Sequence, residues 1–182
     1  LKTKMLKALR ELCRHSEIGF LTGSGLEYIK EQLWPALNDP IVKQNCHLLP
    51  CNGTEYLITD GLDEIIFNPI SKAAMVEEIG EGMMQQLMQL LCHLQSQVVK
   101  EYNIPLAGNF IQNRESMINW CPIGRSSKRD GRKAFKLLDD KLGIRKKYFD
   151  ILNAEIEDKE IPLTLKLGGD TSFDIYPHGW DK

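Results

Sequence analysis

With 182 residues, 42% of them hydrophobic and 26% charged, the chain has the make-up of an ordinary globular protein. Its formal net charge of -2 argues against a surface that binds polyanions throughout, and no run approaches the ~20 consecutive apolar residues of a membrane-spanning helix. Lys2, Lys4, Lys7 and Arg10 interrupt the first apolar residues, so no signal peptide is read there, and a soluble, cytoplasmic protein is expected.

Met5, Leu6, Leu9 and Leu12 recur at helical spacing and predict an opening amphipathic helix. Ile18 to Leu21 reads as a short buried strand of the parallel kind. The loop Thr22-Gly23-Ser24-Gly25 follows it, then a second helix over Leu26 to Leu33. Helix, strand, small polar loop and helix make an α/β core, in which ligands bind beyond the carboxyl ends of strands, where Ser24 falls. Leu48 to Pro50 is a further short strand. Tyr56 to Phe67 is read as a hairpin around Asp60-Gly61. The sequon Asn52-Gly53-Thr54 is read as a turn.

From Met75 the pattern changes. Val76, Ile79, Met83, Leu87, Leu90, Leu94 and Val98 form one long helical stripe, taken as core, that ends before Pro105. Strand-like segments follow at Phe110 to Arg114 and Met117 to Cys121, then helices over Arg129 to Leu142 and Ile144 to Glu157. Leu163 to Leu167, a Gly168-Gly169-Asp170 turn and Thr171 to Tyr176 make a strong hairpin signal. Strands and helices do not alternate here, so an antiparallel sheet with helices on one face is expected. The five cysteines are odd in number and lack a Cys-x-x-Cys pair, as reduced and mostly buried thiols would be. Cys46, His47 and Cys51 have no second ligand pair at a zinc spacing, and no metal is assigned to them.

Two features could carry chemistry. In the last hairpin, alternation places Ser172 and Asp174 on one face and Phe173 and Ile175 on the other, which leaves a hydroxyl and a carboxylate on the open side. The run Arg125 to Lys147 holds ten Lys or Arg against three Asp. A solvated helical face, a nucleic-acid surface and a grip on a small phosphorylated ligand all account for that run. No aromatic residue lies between Arg125 and Ala134, so base stacking is not signalled there.

The wording of the sequence goes further. Asn119-Trp120-Cys121-Pro122-Ile123-Gly124-Arg125-Ser126 resembles the Asn-x-Ser-Pro-Ile-Gly-Arg-Ser segment of phosphomannomutases. The segment from Gly168 to Lys182 is similar to that family's Gly-Gly-x-x-Ser-Phe-Asp-x-x-Pro-x-Gly-Trp-Asp-Lys, and Ile18 to Leu33 resembles its strand, Gly-Ser loop and helix. The resemblance implies a fold of the haloacid-dehalogenase (HAD) type: an incomplete Rossmannoid core over 1–76, a sugar-phosphate-binding cap over 77–176, and a return to the core over 177–182. It also implies interconversion of mannose 6-phosphate and mannose 1-phosphate through an aspartyl phosphate and a hexose bisphosphate. A sugar-phosphate phosphatase and a non-catalytic sugar-phosphate- or nucleic-acid-binding domain are the alternatives.

On that resemblance Arg125, Arg132 and Ser172 hold the sugar's non-reacting phosphate with Arg114 beside them. Asp174 accepts from sugar hydroxyls, and Asn119 lines the site. Ser24 and Lys182 match the core's phosphoryl-binding hydroxyl and lysine. Partners implied are hexose phosphates and a hexose bisphosphate, with no nucleic acid or membrane, and a homodimer formed through the cap. Magnesium is the implied cofactor, its ligands mostly outside the chain. No Asp-x-Asp word occurs. The resemblance therefore places the nucleophile before Leu1 and the acidic metal-binding loop after Lys182, so that the chain alone is expected to be inactive. The chain departs from the family pattern at Glu115, Ser116, Gly25 and His178, which bears on mannose against glucose preference.

Overall fold

The computed structural model describes residues 3–59 and 67–181, the side chains of 34, 35, 59 and 67–71 excepted. The chain divides into two compact units, Leu1–Ala73 with Trp180–Lys182, and Ala74–Gly179. Against the expected limits at 76 and 176, the division falls just before a long helix and two residues after the last strand.

The first unit carries helices α1 (Thr3–Cys13), α2 (Leu26–Leu37) and α3 (Pro40–Gln44) and strands β1 (Ile18–Leu21), β2 (Cys46–Leu49), β3 (Glu55–Thr59) and β4 (Phe67–Lys72). The strands lie in the order β1-β2-β3-β4. β1 and β2 are parallel, with Ile18 opposite Cys46, and the other two pairings are antiparallel. The sheet's core packs Cys46, Leu48 and Leu57 against Ile29 and Leu37 of α2. Helix α3 was not foreseen, although its start follows the rules. Pro40 stands where a helix loses nothing by lacking an N–H, and Asp39 accepts from the N–H groups of Ile41 and Val42 at 3.0 and 3.4 Å. The expected strand at 48–50 begins two residues earlier, at Cys46. The Asp60-Gly61 turn lies outside the described residues.

The second unit carries α4 (Met75–Glu101), β5 (Ile111–Asn113), β6 (Ile118–Trp120), α5 (Arg129–Leu142), α6 (Ile144–Asp158), β7 (Leu163–Gly168) and β8 (Ser172–Pro177). Its sheet is antiparallel throughout, in the order β5-β6-β8-β7. Ile118, Trp120, Leu163, Leu165, Phe173 and Ile175 share one face. Leu87, Leu91 and Leu94 of α4, Phe135 of α5 and Tyr148 and Leu152 of α6 pack into the same core. Trp120 is its keystone. It stacks on Phe173 with centroids 4.7 Å apart, meets Tyr148 edge-on at 6.0 Å, and donates its indole N–H to Gln95 Oε1 at 2.7 Å.

The stripe on α4 needs one correction. Gly80 breaks the helix at φ 80, ψ 157, so the residues before and after it are out of phase. Met84 is therefore buried, while Met83 is 36% exposed. Gly143, at φ 64, ends α5 in the left-handed conformation and lets α6 start at once. No helix of the described residues is long and apolar enough to cross a membrane.

Candidate functional site

Opposite the core, the second unit's sheet carries a polar row. Cross-strand register aligns Gln112 of β5 with Asn119 of β6, Asn119 with Asp174 of β8, and Asp174 with Lys166 of β7. The Asn119 amide donates to Asp174 Oδ1 at 2.6 Å and to the Phe173 carbonyl at 3.3 Å, which fixes the carboxylate's orientation. Asn119 Oδ1 is buried and without a partner, an acceptor whose desolvation costs about 1–3 kcal/mol.

Ser172 and Asp174 do share a face, but that face is not open around the serine. Ser172 is 3% exposed, because the β8 backbone is covered on both sides. Its hydroxyl donates to the Gly168 carbonyl at 2.8 Å. A Cβ on Gly168 would stand 2.8 Å from both Ser172 Oγ and Asp174 Oδ2, so the hydroxyl and the carboxylate converge over a place that only glycine leaves vacant.

The basic segment reaches this hairpin through Arg132. Its Nε and Nη2 donate to the carbonyls of Ser127 and Arg125 at 2.9 and 2.8 Å, and its Nη1 donates to Thr171 Oγ1 at 2.8 Å. A guanidinium has five N–H donors, so two remain for an anion beyond these three bonds. Two glycines make the loop possible. A Cβ on Gly124, which has φ 85, would run into the Gly108 backbone, and one on Gly131 would stand 2.5 Å from Ser127 Oγ. Arg114 Nε and Nη2 both donate to Gln112 Oε1 at 3.0 Å, which places Arg114 beside the polar row.

A buried ion pair braces the hairpin turn. Asp139 accepts from Arg145 Nε at 2.7 Å and from the Arg145 backbone N–H at 2.7 Å. Arg145 Nη1 donates to the Gly169 carbonyl at 2.8 Å. Three of the run's other cations fit a solvated helical face: Lys136 pairs with Asp140, Lys146 with Asp150 and Lys147 with Glu101. The hydrogen bond from Lys147 holds the Glu101 carboxyl below its usual value and lifts the ammonium in turn.

Asn119, Arg125, Arg132, Ser172 and Asp174 therefore lie on connected elements of one unit, with Arg114 against the same row. Ser24 belongs to the other unit. It lies in the loop at the carboxyl end of β1, half-buried, with its N–H given to Thr22 Oγ1 at 3.2 Å and its carbonyl accepting from Cys51 at 3.0 Å. Lys182 lies outside the described residues. Thr171, Gln112, Gly168 and Arg145 were not singled out beforehand. The glycine pair and the strand alternation offered a signal for Gly168, since it faces Ser172 across the turn; nothing local marked the other three. Among the described residues no group of three or more His, Cys, Asp or Glu could hold a metal ion.

The chain is similar to the IMP-nucleotidase of Plasmodium falciparum (TM-score 0.58, 13% identity, 97% of this chain and 46% of that one). It is similar also to the C-terminal domain of the Candida albicans trehalose synthase regulatory protein (TM-score 0.54, 16% identity, 97% and 50%). At such identities the likeness shows the fold alone, which is HAD-like.

The family follows from sequence. The model of the eukaryotic phosphomannomutase family matches residues 5–182, and the chain belongs to that family. It is 32% identical to the phosphomannomutase of Drosophila melanogaster over 91% of this chain and 59% of that protein. With that of Encephalitozoon cuniculi it shares 32% identity over 98% of this chain and 64% of the other. The figures for Schizosaccharomyces pombe are 30%, 98% and 65%. The chain thus spans about three-fifths of the length of these relatives.

Proposed function

We propose that the second unit binds a hexose phosphate, and that the whole protein is a phosphomannomutase that interconverts mannose 6-phosphate and mannose 1-phosphate by way of an aspartyl phosphate and a hexose bisphosphate. The observation that carries the binding half is the bond from Arg132 to Thr171, which brings the Arg132 guanidinium to the residue just before the strand bearing Ser172 and Asp174. The two remaining Arg132 donors and the Arg125 guanidinium grip phosphate oxygens, a geometry that planar forks suit better than ammonium groups. Ser172 has a single proton, at present given to Gly168. To donate to a phosphate its hydroxyl rotates away from that carbonyl. The Asp174 carboxylate, steadied by Asn119, accepts from a sugar hydroxyl and so selects which end of the hexose lies over the hairpin.

Such a grip suits a mutase, because it holds the phosphate that is not reacting and accepts either end of a bisphosphate in turn. Ser24, beyond the carboxyl end of β1, is suited to hydrogen-bond the phosphoryl group being transferred. The 182 residues contain no Asp-x-Asp, so the chain's own contribution is tested by binding rather than by turnover.

Titration calorimetry with mannose 6-phosphate on the protein and on Arg132→Ala tests the reading. The loss of charge-assisted bonds is expected to weaken binding at least about tenfold, roughly 1.4 kcal/mol or more. Equal affinity in the two proteins would overturn it.

A further inference from the structure

We infer that Thr171 is a positioning residue for Arg132, so that the anion grip depends on a hydroxyl one place before Ser172. As an effect on affinity this rests on the sugar-phosphate reading above; as a property of the ligand-free protein it stands on its own.

Arg132 lies in the first turn of α5, with a long side chain that has many rotamers to choose from. Two of its anchors, the carbonyls of Arg125 and Ser127, belong to the loop just before its own helix and hold the guanidinium only to that loop. The third crosses 39 residues of sequence to Thr171 and ties the guanidinium to the hairpin. Thr171 is 2% exposed. Its oxygen also lies 3.7 Å from Cys121 Sγ, a weak donor at the end of β6, so both acceptor positions are used and the hydroxyl's orientation is set from two sides. A buried side chain of this size could be apolar and fill the same space. The hydroxyl is explained by the charge-assisted bond that it accepts.

The test uses Thr171→Val, which keeps the shape and removes the oxygen, and Thr171→Ser, which keeps the oxygen. In the ligand-free protein, NMR of the Arg132 Nη protons is expected to show hindered, separate signals in the parent and in Thr171→Ser, and averaged signals in Thr171→Val. Mannose 6-phosphate affinity is expected to fall roughly fivefold in Thr171→Val and to stay within about twofold in Thr171→Ser. Thermal unfolding, followed in parallel, separates a misfolded variant from a loosened arginine. Unchanged Arg132 signals in Thr171→Val would overturn the inference, as would a serine variant that fails like the valine. If the parent protein does not bind mannose 6-phosphate, the functional reading falls, and the NMR comparison alone still decides whether Thr171 positions Arg132.

Discussion

The two units are built on four-stranded sheets of different kinds. In the first, a parallel pair is extended by two antiparallel strands, and the described apolar side chains form two small clusters, of five and three buried residues. In the second, an antiparallel sheet backs onto one cluster of 23 buried residues drawn from α4, α5, α6, all but one of its strands and the loops between them. The residues of the candidate binding site hang from that larger core: Asn119 sits between Ile118 and Trp120, and Asp174 between Phe173 and Ile175. Alternation along β6 and β8 makes each strand serve both faces, so that packing on one side fixes the polar row on the other. In the first unit Ser24 stands in a loop, a looser way to place a side chain.

If the core of the second unit supports the site, breaking it should cost most. Trp120→Ala removes a buried stack and an indole hydrogen bond and is expected to destabilise by about 3–5 kcal/mol in urea denaturation. Leu48→Ala, in the smaller cluster of the first unit, is expected at the low end of about 2–5 kcal/mol. A larger loss at Leu48 than at Trp120 would reverse the comparison. Next comes Gly168→Ala. Its new methyl would occupy the space between Ser172 Oγ and Asp174 Oδ2, so mannose 6-phosphate binding should fall by about tenfold or more while stability changes by roughly 1 kcal/mol. Binding that survives the methyl would show that this convergence is not the sugar's place.

The smallest effects concern the thiols. Cys13, Cys46, Cys51 and Cys121 are buried and Cys92 is exposed, all of them free. A thiol reagent at pH 8 should modify one cysteine in the folded protein and five after denaturation. Burial pushes the Cys46 thiol up to about 12 from its ordinary value of 9.0. The folded state thus keeps a proton that the unfolded chain releases from about pH 9 upward. Stability linked to this group is complete below pH 9 and is lost as the pH rises toward 12. A Cys46→Ala variant whose alkaline loss matched the parent's would remove Cys46 as its source.

Much of this arrangement was legible in the sequence, for identifiable reasons. Helices α5 and α6 and the β7-β8 hairpin carry strong local signals: the helices were expected over Arg129 to Leu142 and Ile144 to Glu157, and alternation flanks the Gly168-Gly169 turn. The motif words brought Arg125, Arg132, Ser172 and Asp174 forward together. What stayed hidden was non-local. The phase slip at Gly80 turns on one backbone conformation, and so exchanged Met83 for Met84 in the core. The burial of Ser172 and the bonds Arg132–Thr171 and Arg145–Gly169 arise where segments distant in sequence meet, and no periodicity marks them. Helix α3 was a different kind of miss. Asp39-Pro40 is a recognisable start, but five residues are too few to show a period.

The central claim is most directly tested by following backbone and arginine side-chain signals by NMR while mannose 6-phosphate is added to the protein. The account predicts saturable shifts at Arg125, Arg132, Thr171, Ser172 and Asp174, all with one dissociation constant. Saturable binding that leaves those five signals unmoved would contradict it.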